Sequence, residues 1–149
     1  MSDSIDTRQT GRRLLQLGLF LFLMGLLTGF MMPFFANTRM GLTSHLEGVL
    51  NGMFLIGLGL YWHRLAFGAR MRKFMLALAL YGTFANWLAT LLAAFWGAGS
   101  MMHIASAGFA GTPGQEFLIS FMLYSLSFCM IGLTILLIYG LRGQELARA

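Results

Sequence analysis

The chain has 149 residues, of which 58% are hydrophobic and only 10% charged. A soluble domain carries about 25% charged residues, so this composition excludes one and implies a single integral membrane domain. The formal net charge of +5 would suit a nucleic acid, but the cations cluster at the ends of apolar segments, which is a membrane-topology pattern and excludes that partner.

In chain order, the polar start MSDSIDTRQTGRR ends in a basic pair, and Leu14 to Phe35 then runs apolar for 22 residues. That is too long for the core of a cleavable signal peptide and predicts a retained span. Gly11, Gly18 and Gly25 recur every seven residues, and Gly25 with Gly29 makes a GxxxG pair, the pattern of close helix packing in lipid. Three further spans are predicted at about Leu42 to Trp62, Phe74 to Trp96 and Phe117 to Tyr139. The connectors are Ala36 to Gly41, His63 to Lys73, and Gly97 to Glu116, the last a flexible loop or a short interfacial helix. The fold expected is all-α, one transmembrane four-helix bundle over residues 1–149. Arg8, Arg12, Arg13, Arg64, Arg70, Arg72, Lys73, Arg142 and Arg148 fall on one side and Arg39 alone on the other, so both termini are expected in the cytoplasm. Trp62 reads as an interfacial anchor, and the lone Cys129 as a small packing residue.

Ionisable groups inside a span are costly, and SHLEGVLNG, Ser44 to Gly52, holds two. At about 100° per residue, His45, Gly48, Val49 and Gly52 share one helix face with Gly59, while Glu47 and Asn51 share another. The glycines leave room either for a neighbouring helix or for a porphyrin with His45 on its iron. Zinc is harder to serve, because His45, His63 and His103 are the only histidines and His63 falls on the opposite side of the membrane. Glu47 could support such a site, act as a general acid or base, or pair with Arg39. Thr83, Asn86 and Thr90 line one face of the third span, where the Asn86 amide must find partners. Ser120, Tyr124, Ser127 and Thr134 line one face of the fourth.

The stretch His45-Leu46-Glu47-Gly48-Val49-Leu50-Asn51-Gly52, the preceding Asn37-Thr38-Arg39-Met40-Gly41-Leu42, and Ala85-Asn86 resemble the small four-span bacterial hydroxylaminobenzene mutases and styrene oxide isomerases. The resemblance implies a membrane isomerase of the bacterial inner membrane. It also implies a haem b ligated by His45 and bordered by Gly48 and Gly52, and a homotrimer holding haem between protomers. Ferric haem would act as a Lewis acid on the substrate oxygen with no net redox change. Asn51, Glu47, Asn86 and Thr90 are the implied catalytic positions. Thr90 stands where the epoxide isomerase branch has a tyrosine, and Glu47 where that branch has no glutamate, so the resemblance favours the mutase reaction: an aryl hydroxylamine rearranged to a 2-aminophenol. Epoxide isomerisation and a non-catalytic haem-binding subunit are the alternatives.

Overall fold

The computed structural model describes the backbone of residues 2–142 and the side chains of residues 7–141. Arg148 and the Arg142 side chain, both used in the charge count, lie outside those described. The fold is all-helical, with no strand among the described residues. Its helices are α1 (Ser2–Met31), α2 (Thr38–Tyr61), α3 (Ala69–Trp96), α4 (His103–Ser106) and α5 (Pro113–Arg142).

The helix ends follow from local chemistry. Pro33 lies in a 3₁₀ turn, Met32–Phe34, that closes α1. Asn37 caps α2, its side chain accepting from the Met40 N–H at 3.1 Å. Gly97, at φ 71°, supplies the left-handed residue that stops α3. Pro113 opens α5, where a missing N–H costs nothing. The connector from Gly97 contains a short helix, α4, and ends earlier than the sequence suggests, because α5 already begins at Pro113.

Three segments are long and apolar enough to cross a bilayer: Thr7–Phe34, Ala69–Trp96 and Pro113–Leu141. Helix α2, at 24 residues, has the length but carries Arg39, His45, Glu47 and Asn51 along it. The long helices pack in the row α1, α2, α3, α5: α1 lies on α2, α2 on α3 and α3 on α5. Little of α5 is therefore covered. Two polar residues of its outer face bond back onto their own helix. Ser127 and Thr134 donate to their own helix at Leu123 O and Met130 O, and Tyr124 is 60% exposed.

Two apolar clusters hold the row together. One gathers Leu14, Leu21, Leu55, Leu58, Trp62, Met75, Ala79 and Leu133. The other, toward the opposite end of α2 and α3, gathers Phe35, Met40, Ala93, Ala94, Ala98 and Ile119. Trp62 is a correction to the sequence reading. It is 1% exposed, because the turn after α2 folds its indole into the first cluster instead of leaving it at the interface. Between the two clusters, along both α2 and α3, lie the polar residues that the sequence singles out.

Candidate active site

Helix α2 reaches the site with two different faces. On the first it meets α1 backbone to backbone, with Gly11 against Gly59, Gly18 against Gly52 and Gly25 against Gly48. A Cβ on Gly25 would lie 2.6 Å from the Val49 nitrogen and 2.7 Å from the Gly48 carbonyl carbon. One on Gly52 would lie 2.6 Å from the Phe22 nitrogen. The room that Gly48 and Gly52 leave is thus taken up by α1, and these two glycines do not border a cofactor-sized space on that face. Of the two readings open in the sequence, the neighbouring helix occupies them.

His45 continues the same ladder one turn beyond Gly48, beside Gly29. Its Nδ1 lies 2.8 Å from the Gly25 carbonyl oxygen, and a Cβ on Gly29 would come within 2.9 Å of that nitrogen. A carbonyl only accepts, so in the neutral ring Nδ1 carries the hydrogen and Nε2 keeps the lone pair. A histidine that ligates a metal is commonly oriented by this kind of bond from its other nitrogen. The ring is half-buried. Leu26, Phe30, Leu42 and Leu46, which flank Gly29 and His45 along the two helices, are exposed, Phe30 by 82%.

The second face of α2 meets α3 through side chains. Glu47 Oε2 accepts from Asn51 Nδ2 at 3.0 Å and from Asn86 Nδ2 at 2.5 Å. Asn51 Nδ2 also donates to the Glu47 carbonyl at 2.9 Å. These are charge-assisted bonds when the carboxylate is ionised, stronger than neutral ones in a dry environment. Three of the four catalytic positions anticipated from sequence therefore form one cluster. Glu47 is directed to the two amides, so the alternative pairing with the exposed Arg39 is set aside.

Thr90, the fourth, does not join them. It is 2% exposed, and its hydroxyl donates to Asn86 O and Trp87 O of its own helix, both at 3.0 Å. Thr83 is likewise turned onto its own helix, at Ala79 O. Among the described residues, no hydrogen bond links His45 to the Glu47 cluster.

The family model described as styrene oxide isomerase matches residues 10–142. The chain belongs to the styrene oxide isomerase family. Hydroxylaminobenzene mutase HabB of Ectopseudomonas oleovorans is 59% identical over 138 residues, covering 92% of this chain and 84% of that protein. Hydroxylaminobenzene mutase HabA of the same organism is 42% identical over 125 residues, 83% of this chain and 93% of that protein. No solved structure matches the chain. The family and both relatives are named for isomerisations, and this member is a membrane isomerase.

This styrene oxide isomerase family member is also braced by Thr28 and Glu116, to which the sequence reading gave no role, acting with Trp87, Ser44 and Asn37. Trp87 Nε1 donates to Thr28 Oγ1 at 3.1 Å, and Thr28 in turn to Met24 O at 2.8 Å. Ser44 Oγ donates to Trp87 O at 3.3 Å. Trp87 thus ties α1, α2 and α3 together, through its indole N–H to Thr28 and its backbone carbonyl from Ser44, beside Gly48, where an added Cβ would meet its ring at 2.9 Å. Asn37 and Glu116 hold the loop over that end of the molecule. Asn37 Nδ2 donates to Ser106 O at 2.8 Å and Ala105 O at 3.2 Å. The Glu116 carboxylate accepts from the backbone N–H groups of Gly99, Ser100 and Gly111 and from the Ser100 hydroxyl.

Proposed function

We propose that this protein rearranges an aryl hydroxylamine, such as hydroxylaminobenzene, to a 2-aminophenol at a haem b site held by His45. The 59% identity to a named hydroxylaminobenzene mutase supports the reaction. The observation that carries the site is the His45 Nδ1–Gly25 O bond, which leaves Nε2 as the nitrogen able to bind iron. Haem needs one such axial nitrogen, and the apolar residues flanking His45 suit a macrocycle better than the glycine face packed by α1 does. Because those residues lie on the outer surface of α1 and α2, the reading includes a homotrimer with the group held between protomers. All four long helices cross the bacterial inner membrane in this reading, with both termini cytoplasmic.

When bound, haem iron supplies a Lewis acid for the substrate's oxygen. The rearrangement is isomeric. The N–O bond breaks, the oxygen is joined to the ortho carbon, the ortho hydrogen leaves as a proton, and nitrogen gains one. Glu47, held by Asn51 and Asn86, is the carboxylate that accepts the ring proton and returns it to nitrogen. Asn51 and Asn86 position it, and the apolar clusters on either side keep water from intercepting an electron-poor nitrogen. Thr90 acts only as part of the helix wall.

The test is turnover by the detergent-purified chain. Hydroxylaminobenzene is expected to disappear as 2-aminophenol forms in equal amount, and His45→Ala to abolish this. Failure to form the aminophenol, or full activity in His45→Ala, contradicts the reading. Faster conversion of styrene oxide than of hydroxylaminobenzene would move it to epoxide isomerisation.

A further inference from the structure

The Glu47 cluster engages only one oxygen of its carboxylate. Asn51 Nδ2 and Asn86 Nδ2 both donate to Oε2, at 3.0 and 2.5 Å. Among the described residues, no group donates to Glu47 Oε1, to Asn51 Oδ1 or to Asn86 Oδ1. Nor is any side-chain oxygen among them both buried and without a partner. The three oxygens therefore lie where a molecule from outside the chain can reach them. Asn51 as a whole is only 8% exposed, so the approach to its oxygen leads into the seam between α2 and α3.

A charge is more than a brace between two helices requires. A glutamine carbonyl would accept the same two amide N–H groups without placing an ionisable group in an apolar segment, which is costly. What the carboxylate adds is a second acceptor, Oε1. Three acceptor oxygens with no donor of their own suit a ligand that brings an N–H or O–H. They oppose one that offers only lone pairs, because acceptor facing acceptor leaves both unpaired.

We propose that Glu47 Oε1 determines which substituent on an aromatic ring the site admits, taking the N–H or O–H of a hydroxylamine and excluding an acceptor-only epoxide. This deepens the reaction proposed above and rests on it for the substrate. It also assigns to Oε1 the proton taken from the ring carbon and passed to nitrogen, because Oε2 is held by two amides. In Glu47→Gln the same two amides hold the carbonyl oxygen, so an NH2 group stands where Oε1 stood and the preference turns round.

Equilibrium binding of aniline and of nitrobenzene to the detergent-purified full chain, each corrected for uptake by protein-free micelles, tests this without turnover. Aniline offers N–H donors, and nitrobenzene, of similar size, only acceptors. Leaving one polar group unpaired costs about ten-fold in affinity. The unmodified protein is expected to bind aniline about ten-fold more tightly than nitrobenzene. Glu47→Gln is expected to bind nitrobenzene about ten-fold more tightly than aniline. Gly57→Ala, on an open face of the same helix, is expected to match the unmodified protein. Hydroxylaminobenzene can both donate and accept, so its own KM is insensitive to the exchange. Equal binding of the two ligands by the unmodified protein, or an unchanged ratio in Glu47→Gln, overturns the assignment of Oε1 and leaves the reaction standing. A reversed ratio in a protein that forms no aminophenol supports Oε1 as the reader of donors and overturns the reaction instead.

Discussion

The two seams that α2 makes with its neighbours are built on opposite principles. Toward α1 the contact is backbone on backbone, with glycine facing glycine at three levels and His45 closing the ladder against Gly29 and the Gly25 carbonyl. Toward α3 the contact is side chain on side chain, with one carboxylate shared by two amides. The first seam has no freedom left in it, because any added atom meets backbone, so it suits a ring whose angle must not change. The second is made of rotatable groups on well-packed helices, so it suits proton movement. A single helix serves both because residues 45 and 47 are about 200° apart on it.

If the seams do these separate jobs, substitutions should separate them. The largest effect is expected for His45→Ala, which removes the ligand nitrogen and reduces conversion of hydroxylaminobenzene to the uncatalysed rate, measured as aminophenol formed by purified protein. Next is Glu47→Gln, which keeps the shape of the cluster but removes the proton acceptor. General acid–base groups contribute about 100-fold or more to rate, and a loss of that order in kcat, with little change in KM, is expected. A rate unchanged by Glu47→Gln would make the α3 seam purely structural.

Gly25→Ala probes the glycine seam through stability, read apart from activity because the Gly25 carbonyl also orients His45. Overpacking of this kind typically costs about 1–3 kcal/mol, and the methyl meets backbone that cannot yield. A lowered unfolding midpoint is expected, while Gly57→Ala, on the same α2 but with nothing within 4 Å, is expected to leave the midpoint unchanged or slightly raised. Equal behaviour of the two would mean that α1 and α2 are not locked. The smallest effect is expected from Thr90→Val. Its hydroxyl bonds only to carbonyls of its own helix, so activity should change by less than about two-fold and stability by less than about 1 kcal/mol.

Much of this was legible in the sequence because helical periodicity is a strong signal in an apolar chain. The heptad spacing of Gly11, Gly18 and Gly25 announced a packing face, and the wheel separated His45 from Glu47 and Asn51 before any neighbour was known. The wheel could not assign the neighbours. Glycines that make room for a helix and glycines that make room for a cofactor look identical until the opposite helix is in place, and Gly48 and Gly52 proved to be the first kind. Thr90 shared a stripe with Asn86, yet a threonine hydroxyl can turn back onto its own helix, as this one does, and the stripe does not reveal it. Trp62 misled for a similar reason: its position at the end of an apolar run matches an anchor, but the turn that follows buries it. Trp87 and Glu116 act through partners far along the chain, Thr28 and the loop from Gly99 to Gly111, and no local pattern marks such pairings.

The central claim, that the glycine seam presents His45 to iron while the amide seam handles protons, is tested most directly by the absorbance spectrum of the detergent-purified protein beside its His45→Ala and Glu47→Gln forms. The account predicts a Soret band in the unmodified protein and in Glu47→Gln, and none in His45→Ala. A Soret band that persists in His45→Ala, or an active protein with no Soret band at all, would contradict it.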